Sequence, residues 1–213
     1  MKTEELIALL ARQPAALPRP HLRRDWALAS LAGLATALAL MLVALGARGD
    51  LAAALGSPMF WQKLAAISAF AALSGVVAFR YGLPGREGGR TAALRWAVPA
   101  WLALGMVLVL VGAPAEQRFA QFSSPTILAC LTSIPVLSIP APLAMLLVLR
   151  RAAPVEPARA ARAIGWAAGG IGAFAYAFHC QSDAPGYLLL WYGLAMGLTV
   201  LIVQATATRW LRW

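Results

Sequence analysis

The sequence has little charge and few residues that could carry chemistry. Charged residues make up 12% of the 213 positions, about half the roughly 25% that is usual in soluble domains. Its long apolar runs hold no acids or histidines at their centres, which argues against the relay of titratable groups that a proton-coupled pump usually needs. No phosphate-binding loop, nucleophile triad or metal-hydrolase cluster is visible either. The sequence therefore predicts that the chain is not an enzyme.

Apolar sequence is abundant, at 61% of the chain. It falls into six runs, each about the ~20 residues that a helix needs to cross a bilayer. We place them at residues 25–46, 60–80, 94–113, 126–149, 160–179 and 187–207. The sequence thus predicts an all-α fold, a polytopic six-transmembrane-helix bundle. It comprises a cytoplasmic N-terminal segment (1–24), a membrane domain (25–207) and a tail (208–213).

The first apolar run has features of a secretory signal peptide. It is too long for a typical signal-peptide core, and the polar stretch before it is long and acidic. We interpret it as a retained membrane helix, although the small residues at 44–47 leave cleavage open.

Basic residues indicate how the bundle is oriented. Of the 18 lysines and arginines, all but Arg48, Lys63 and Arg118 lie in the termini or in the second and fourth loops. By the positive-inside rule, both termini and these two loops face the cytoplasm. The net charge of +10 is thus explained by topology, and direct nucleic-acid binding is not expected. Tyr187 and Tyr192 then fall near the outer interface, where such rings commonly act as anchors.

Residues 3–12 predict a short amphipathic helix. Thr3 can cap it, and Glu4 and Glu5 lie at the positive end of its dipole. An apolar stripe follows, formed by Leu6, Ile7, Leu9 and Leu10. A helix this short is unstable alone in water, so it needs a surface to fold against. That surface could be a protein groove or the bilayer, and the sequence leaves both open.

The last three runs contain residues that affect helix packing. The fourth run has three prolines, which predict a kinked or locally unwound helix. The fifth and sixth each have two glycines four positions apart, a spacing that lets helices approach closely within the bundle or between two copies. These residues are Pro135, Pro140 and Pro142, the pair Gly165 and Gly169, and the pair Gly193 and Gly197.

The only two cysteines, Cys130 and Cys180, fall at similar depth near the outer face. In a bacterium that face is the periplasm, where a disulfide can persist; buried structural cysteine is the alternative. His179 and Asp183 flank Cys180, and they share a helix face if the helix continues for one more turn. Cys130, Cys180 and His179 could then hold a soft metal ion, or the imidazole could activate a thiol. Alternatively, Asp183 caps the following loop and His179 marks the interface.

Several motifs carry a resemblance to a known family over essentially the whole chain. They are the start Met1-Lys2-Thr3-Glu4-Glu5-Leu6-Ile7, Gly46-x-Arg48-x-Asp50-Leu51, Pro58-x-Phe60-Trp61-x-Lys63, Cys130, His179-Cys180-x-x-Asp183, Trp191-Tyr192 and the closing Arg209-Trp210-Leu211-Arg212-Trp213. With these motifs the sequence resembles the NrsF family of small six-span membrane anti-sigma factors. The His-Cys-x-x-Asp element with the second cysteine is the most specific part.

The resemblance implies a function. A protein of this family in the bacterial inner membrane would sequester an extracytoplasmic-function sigma factor and release it on heavy-metal or redox stress. Cys130 and Cys180 would be the sensor, supported by His179 and Asp183, with a transient heavy-metal ion and no constitutive cofactor. The sigma-binding residues would be Glu5, Leu6, Ile7, Leu9 and Leu10. For the outer-end residues, a packing or sensing role is expected; these are Arg48, Asp50, Phe60, Trp61 and Lys63.

Three other interpretations use the same residues differently. A small membrane metal transporter or a membrane thiol oxidoreductase would use the Cys/His site directly, whereas a structural scaffold would need neither cysteine. The oligomeric state and the identity of the metal or oxidant do not follow from the sequence.

Overall fold

The computed structural model describes residues 3–5, 21–83, 89–114, 118–119, 122–152, 154 and 156–210, and all regular structure in them is helical. The helices are α1 (Leu22–Ala44), α2 (Leu51–Leu55), α3 (Pro58–Tyr81), α4 (Gly89–Leu94), α5 (Ala97–Gly112), α6 (Ile127–Ser138), α7 (Pro140–Leu149), α8 (Pro157–Ala177), α9 (Pro185–Tyr187) and α10 (Gly193–Trp210). A 3-10 turn, Arg150–Ala152, follows α7, and a π-helix, Leu188–Tyr192, joins α9 to α10.

Five helical segments in the described residues are long and apolar enough to cross a membrane. They are Leu22–Ala44, Pro58–Tyr81, Gly89–Gly112, Ile127–Ala152 and Pro185–Ala207. Helix α8 corresponds to the predicted fifth run but is not among these five. It carries Arg159 and Arg162 near its start and is otherwise rich in alanine and glycine, which are less hydrophobic than the leucine and valine of the other runs. An all-helical membrane protein is thus confirmed.

Helix α8 lies at the centre of the bundle and contacts α1, α3, α6 and α10. Its small residues allow this close packing. A Cβ atom on Gly165 would lie 2.7 Å from the Cα of Val200 on α10, and one on Gly169 would lie 3.2 Å from the Cα of Met196. A Cβ on Gly193 or Gly197 would meet nothing within 4 Å. The fifth-run glycine pair therefore packs within the bundle, and the sixth-run pair does not.

The fourth run is divided at Ile139, between α6 and α7, as its prolines predict. Pro140 begins α7, where a missing backbone N–H costs nothing because the first turn has no internal partner for it. Ser138 donates its hydroxyl to the carbonyl oxygen of Ile134 at 2.7 Å. A Cβ on Gly172 of α8 would collide with both of these groups. The fourth run is therefore interrupted where Gly172 of α8 packs against Ser138.

Three connections meet at one end of the bundle, which we call the cysteine end: residues 45–57, the described part of 113–126, and 178–184. The Arg48 amide donates to the Phe178 carbonyl at 2.9 Å, which ties the first connection to the third. Trp191 donates its indole N–H to the Phe122 carbonyl at 2.7 Å, which ties the second to the start of the last helical segment.

The opposite end carries most of the arginines and is called the basic end. Here Arg151 lies 3.5 Å from the Asp25 carboxylate, and the Arg150 guanidinium lies over the ring of Trp210, 6.0 Å from its centroid. The start of α1, the 3-10 turn after α7 and the end of α10 therefore lie together, as the charge pattern predicts.

Candidate functional site

Arg48 organises the cysteine end. It is 7% exposed and binds Asp50 through two parallel hydrogen bonds, Nε to Oδ1 at 2.7 Å and Nη2 to Oδ2 at 2.8 Å. Its Nη1 also donates to both carboxylate oxygens of Asp183, each at 3.1 Å. Bidentate arginine–carboxylate pairs fix geometry as well as adding energy. The first connection is therefore held to the segment that follows Cys180.

Lys63 enters the same group from α3 and is 1% exposed. Its ammonium donates to Asp183 Oδ1 at 2.9 Å and to the carbonyls of Cys180 and Ser182, each at 3.0 Å. Three acceptors match the three N–H groups of an ammonium. We call Arg48, Asp50, Lys63 and Asp183 the ionic cluster.

The ionic cluster also explains why α8 ends at Ala177. Arg48 donates from Nη1 to the Cys180 carbonyl at 3.1 Å and from Nη2 to the Gln181 carbonyl at 3.3 Å. These contacts leave no room for a further turn of helix. Carbonyls at a helix C-terminus lack intrahelical partners and carry partial negative charge, so cations bind there. The sequence places His179 and Asp183 on one helix face on the condition that the helix continues past Cys180. The helix ends at Ala177, so this condition is not met. His179 and Asp183 consequently do not share a helix face.

The imidazole of His179 is held by a contact with the backbone. Its Nδ1 is 3.0 Å from the carbonyl oxygen of Gly46, and its ring lies 5.6 Å from that of Tyr176. Asp183 is already paired with two cations. Among the described residues no three His, Cys, Asp or Glu side chains form a metal-binding group. The expected ligand set of Cys130, Cys180 and His179 is therefore not assembled in this structure.

The two aromatic residues of the Pro58-x-Phe60-Trp61-x-Lys63 motif take different positions. Phe60 is fully buried, with its ring 6.0 Å from that of Phe178 and the Arg48 guanidinium 5.5 Å from its centroid. Trp61 is 54% exposed and donates its indole N–H to the Leu55 carbonyl at 2.8 Å. Phe60 thus packs against Arg48 of the ionic cluster, whereas the side chain of Trp61 is exposed at the same end.

Cys130 and Cys180 are both free and fully buried. They belong to one apolar cluster and are close enough to interact electrostatically. The predicted placement of the two thiols at the same end of the bundle agrees with their position here. Cys180 Sγ makes a long contact of 3.9 Å with the Ser182 carbonyl. Neither thiol is accessible to solvent in this structure.

Three buried tyrosines surround the thiols, and sequence reasoning missed them. Tyr187 and Tyr192, expected as interfacial anchors, are 0% and 1% exposed, as is Tyr176 at 0%. Tyr187 shares a hydrogen bond of 3.2 Å with Thr126, while the hydroxyls of Tyr176 and Tyr192 have no partner among the described residues. The π-helix at Leu188–Tyr192 turns Tyr192 inward, and no sequence pattern signals it.

The charged groups of the cysteine end shift one another's pKa. The bidentate contact with Arg48 lowers the pKa of Asp50 below its ordinary value. The same contact, with Asp183 nearby, raises the pKa of Arg48 against the opposing effect of burial. Both groups are therefore charged at neutral pH, and the Arg48–Asp50 pair is intact there.

The predicted sigma-binding residues lie at the N-terminus. Thr3–Glu5 are helical and exposed. Leu6, Ile7, Leu9 and Leu10 lie outside the described residues, so their interactions stay a prediction.

Comparison with known proteins is decisive for the family. The chain matches the NrsF family, described as negative regulator of sigma F, over residues 10–213. It belongs to the NrsF family. The probable anti-sigma-F factor NrsF of Azospira oryzae is 34% identical over the full length of both chains. The anti-sigma-F factor NrsF of Caulobacter vibrioides is also 34% identical, again over the full length of both. No solved structure matches.

Membership of the NrsF family agrees with the expectation that the chain is not an enzyme, since anti-sigma factors are regulatory proteins. The interpretation as a thiol oxidoreductase is accordingly set aside.

Proposed function

We propose that this protein is a membrane anti-sigma factor that holds an extracytoplasmic-function sigma factor inactive at the bacterial inner membrane. The full-length similarity to two anti-sigma-F factors carries this proposal. The predicted amphipathic helix at residues 3–12, within the cytoplasmic segment 1–24, supplies the docking surface through Glu5 and its apolar stripe. The protein makes no direct contact with DNA.

The proposal includes six spans, with α8 as the fifth and both termini in the cytoplasm. Helix α8 begins at the basic end with Pro157 and ends at the cysteine end with Ala177. At ~1.5 Å per residue, its 21 residues reach about as far as the other spans do. Its neighbours in the bundle shield it from lipid, so it can be less apolar than they are. The basic end then faces the cytoplasm.

The same proposal makes Cys130 and Cys180 the periplasmic sensor. A heavy-metal ion would bridge the two sulfurs, each thiol releasing its proton to solvent. Alternatively, a peroxide would oxidise the pair, giving one disulfide and two waters. Either event draws α6 towards the 178–184 connection, which the ionic cluster holds in its resting position. The break at Ile139 lets α6 tilt without α7. The stimulus acts only through its different affinity for the resting and shifted states.

A pull-down tests the anti-sigma function. The full-length chain is solubilised in detergent from its own cells, beside variants of the N-terminal stripe, and bound proteins are identified by mass spectrometry. The double variant Leu6→Glu/Leu10→Glu should lose a sigma factor that the full-length chain retains. Ala8→Glu, on the opposite face of the predicted helix, should keep it. Absence of any sigma factor from the full-length sample would contradict the proposal.

Serine substitutions test the sensor separately from the docking. Cys130→Ser or Cys180→Ser should abolish the transcriptional response to cadmium or peroxide and leave resting repression intact, because the docking segment is at the other end. A double serine variant that still responds to both stimuli would show that the thiols are not the sensor.

A further inference from the structure

Arg95, between α4 and α5 at the basic end, has no anionic partner in the part of the chain that the structure describes. Its Nε and Nη1 are buried and have no hydrogen-bond partner among the described residues. The charge of Arg162, on α8, acts on Arg95 and has the same sign. Burying an unpaired charged group costs free energy, and a neighbouring like charge adds to that cost.

The ring of Trp96 partly compensates the charge of Arg95. Its Cζ lies 5.1 Å from the centroid of the Trp96 ring, a cation–π contact worth about 0.5–2 kcal/mol. Trp96 in turn stacks edge-on with Trp166 and Phe70, at centroid distances of 5.5 and 6.1 Å. This aromatic cluster fixes the guanidinium in place but supplies no acceptor oxygen.

A groove of about 200 Å³ begins at the same aromatic cluster. Phe70, Trp96 and Trp166 line one part of it, and Leu102 and Leu188 line another. Helix α5 forms one wall, and Leu102 is its only buried residue among those that the structure describes; its other residues are exposed or partly exposed. The groove is apolar and lies between membrane-spanning helices, so it suits a lipid chain better than water.

The two features require one ligand with an anionic group and an alkyl chain attached to it. We propose that the Arg95 site binds an anionic phospholipid, with the phosphate on the guanidinium and one acyl chain in the groove. Basic pockets between spans at the cytoplasmic side are suited to such headgroups. Arg162 adds to the positive potential that draws the phosphate, and Trp96 touches both halves of the lipid.

Native mass spectrometry of the full-length protein in detergent tests the headgroup contact. The probes are phosphatidylglycerol, phosphatidylcholine with the same acyl chains, inorganic phosphate and an acidic peptide. Arg95→Gln should weaken phosphatidylglycerol binding about tenfold, the loss expected for one charge-assisted contact. Arg90→Gln, which removes an exposed charge from α4 at the same end, should leave it unchanged. Arg95→Lys, which keeps the charge, should fall between wild type and Arg95→Gln.

Filling the groove tests the acyl-chain half. Val98 lines the groove and is partly exposed. Val98→Phe should weaken phosphatidylglycerol binding, whereas Val107→Phe, at an exposed position on the same helix that does not line it, should not. The thermal unfolding of each variant should match that of the wild type, which excludes a folding defect as the cause of weaker lipid binding.

Four results would overturn the proposal. Equal losses in Arg95→Gln and Arg90→Gln would indicate general charge attraction, and equal binding of phosphatidylcholine would exclude headgroup recognition. If inorganic phosphate competes as well as the lipid and Val98→Phe has no effect, the site binds only an anion. If an acidic peptide binds in place of the lipid and its binding depends on Arg95, the site is assigned to a protein partner.

Discussion

Lys63 and Arg48 are the residues on which the cysteine end depends most. Each is buried with several acceptors, and together they bind Asp183 and the carbonyls that follow α8. A buried ion pair adds little net stability compared with apolar packing, but removing one partner leaves an uncompensated charge. Their effect is mainly to specify one conformation of the connection that carries Cys180.

Lys63→Met should destabilise the protein by about 3 kcal/mol, the low end for a broken buried pair because Arg48 still compensates Asp183. It should also speed maleimide labelling of Cys180 in a Cys130→Ser background, since the connection loses three hydrogen bonds. Thermal unfolding in detergent and labelling rates measure the two effects. Gln62→Met, the neighbouring substitution, is the control; equal effects of both would show that the network is not what holds the connection.

Asp50 gives the cysteine end an acid sensitivity. Its folded-state pKa lies below the unfolded value because Arg48 binds the carboxylate. Its contribution to stability is therefore full above the unfolded pKa, about 4, and is lost as the pH falls through the folded pKa. Unfolding temperatures measured from pH 6 to pH 3 should fall more steeply for the wild type than for Asp50→Asn. Parallel curves would contradict this assignment.

At the scale of elements, α8 is the helix on which the bundle is assembled. It combines arginines at its start with a long stretch of alanine and glycine, and nearly all of that stretch is buried. Close approach of neighbouring backbones replaces the large apolar side chains that pack soluble cores. The break at Ile139 belongs to the same packing, because it lies against Gly172.

Gly165→Ala should destabilise the bundle, and Gly197→Ala should not. Alanine favours a helix over glycine by about 1 kcal/mol, so both changes gain from propensity. At Gly165, however, the new Cβ would lie 2.7 Å from the Val200 backbone, and overpacking of that kind costs about 1–3 kcal/mol. Thermal unfolding of the two variants in one detergent compares them directly. A more stable Gly165→Ala protein would mean that α8 and α10 do not pack as described.

At the scale of the molecule, the two ends have different chemistry. The cysteine end holds the thiols and the ionic cluster, and the basic end holds most arginines. Under the proposed function, a signal sensed at the cysteine end would cross the membrane through the helices, with α8 and the broken fourth run as the connected elements. This separation is why sensing and docking variants should be independent of each other.

Topology is measurable with reporter fusions. Alkaline phosphatase fused after residue 182 should be active, because export lets its disulfides form. The same reporter fused after residue 154 should be inactive, and a fluorescent-protein fusion there should be bright. Residues 154 and 182 flank α8, so equal activity at both positions would show that α8 does not cross the bilayer.

The sequence alone determined the helical class, five of the spans, the bend in the fourth run and the family, because each follows from local composition or from motifs in order along the chain. Hydrophobic length needs no tertiary information, and neither does the effect of proline on a helix. It also placed Cys130 and Cys180 at one end, by counting runs.

Only the tertiary structure decided how that end is built. Arg48 and Lys63 reach Asp183 across more than 100 residues of sequence, and these contacts end α8 before Cys180. The sequence could suggest a further helical turn only because the competing cations come from elsewhere in the chain, Arg48 from the 45–57 connection and Lys63 from α3. The inward position of Tyr192 likewise depends on a π-helix set by packing. Long-range ion pairs and local departures from the α-helix have no periodicity, so they appear only once the helices are brought together.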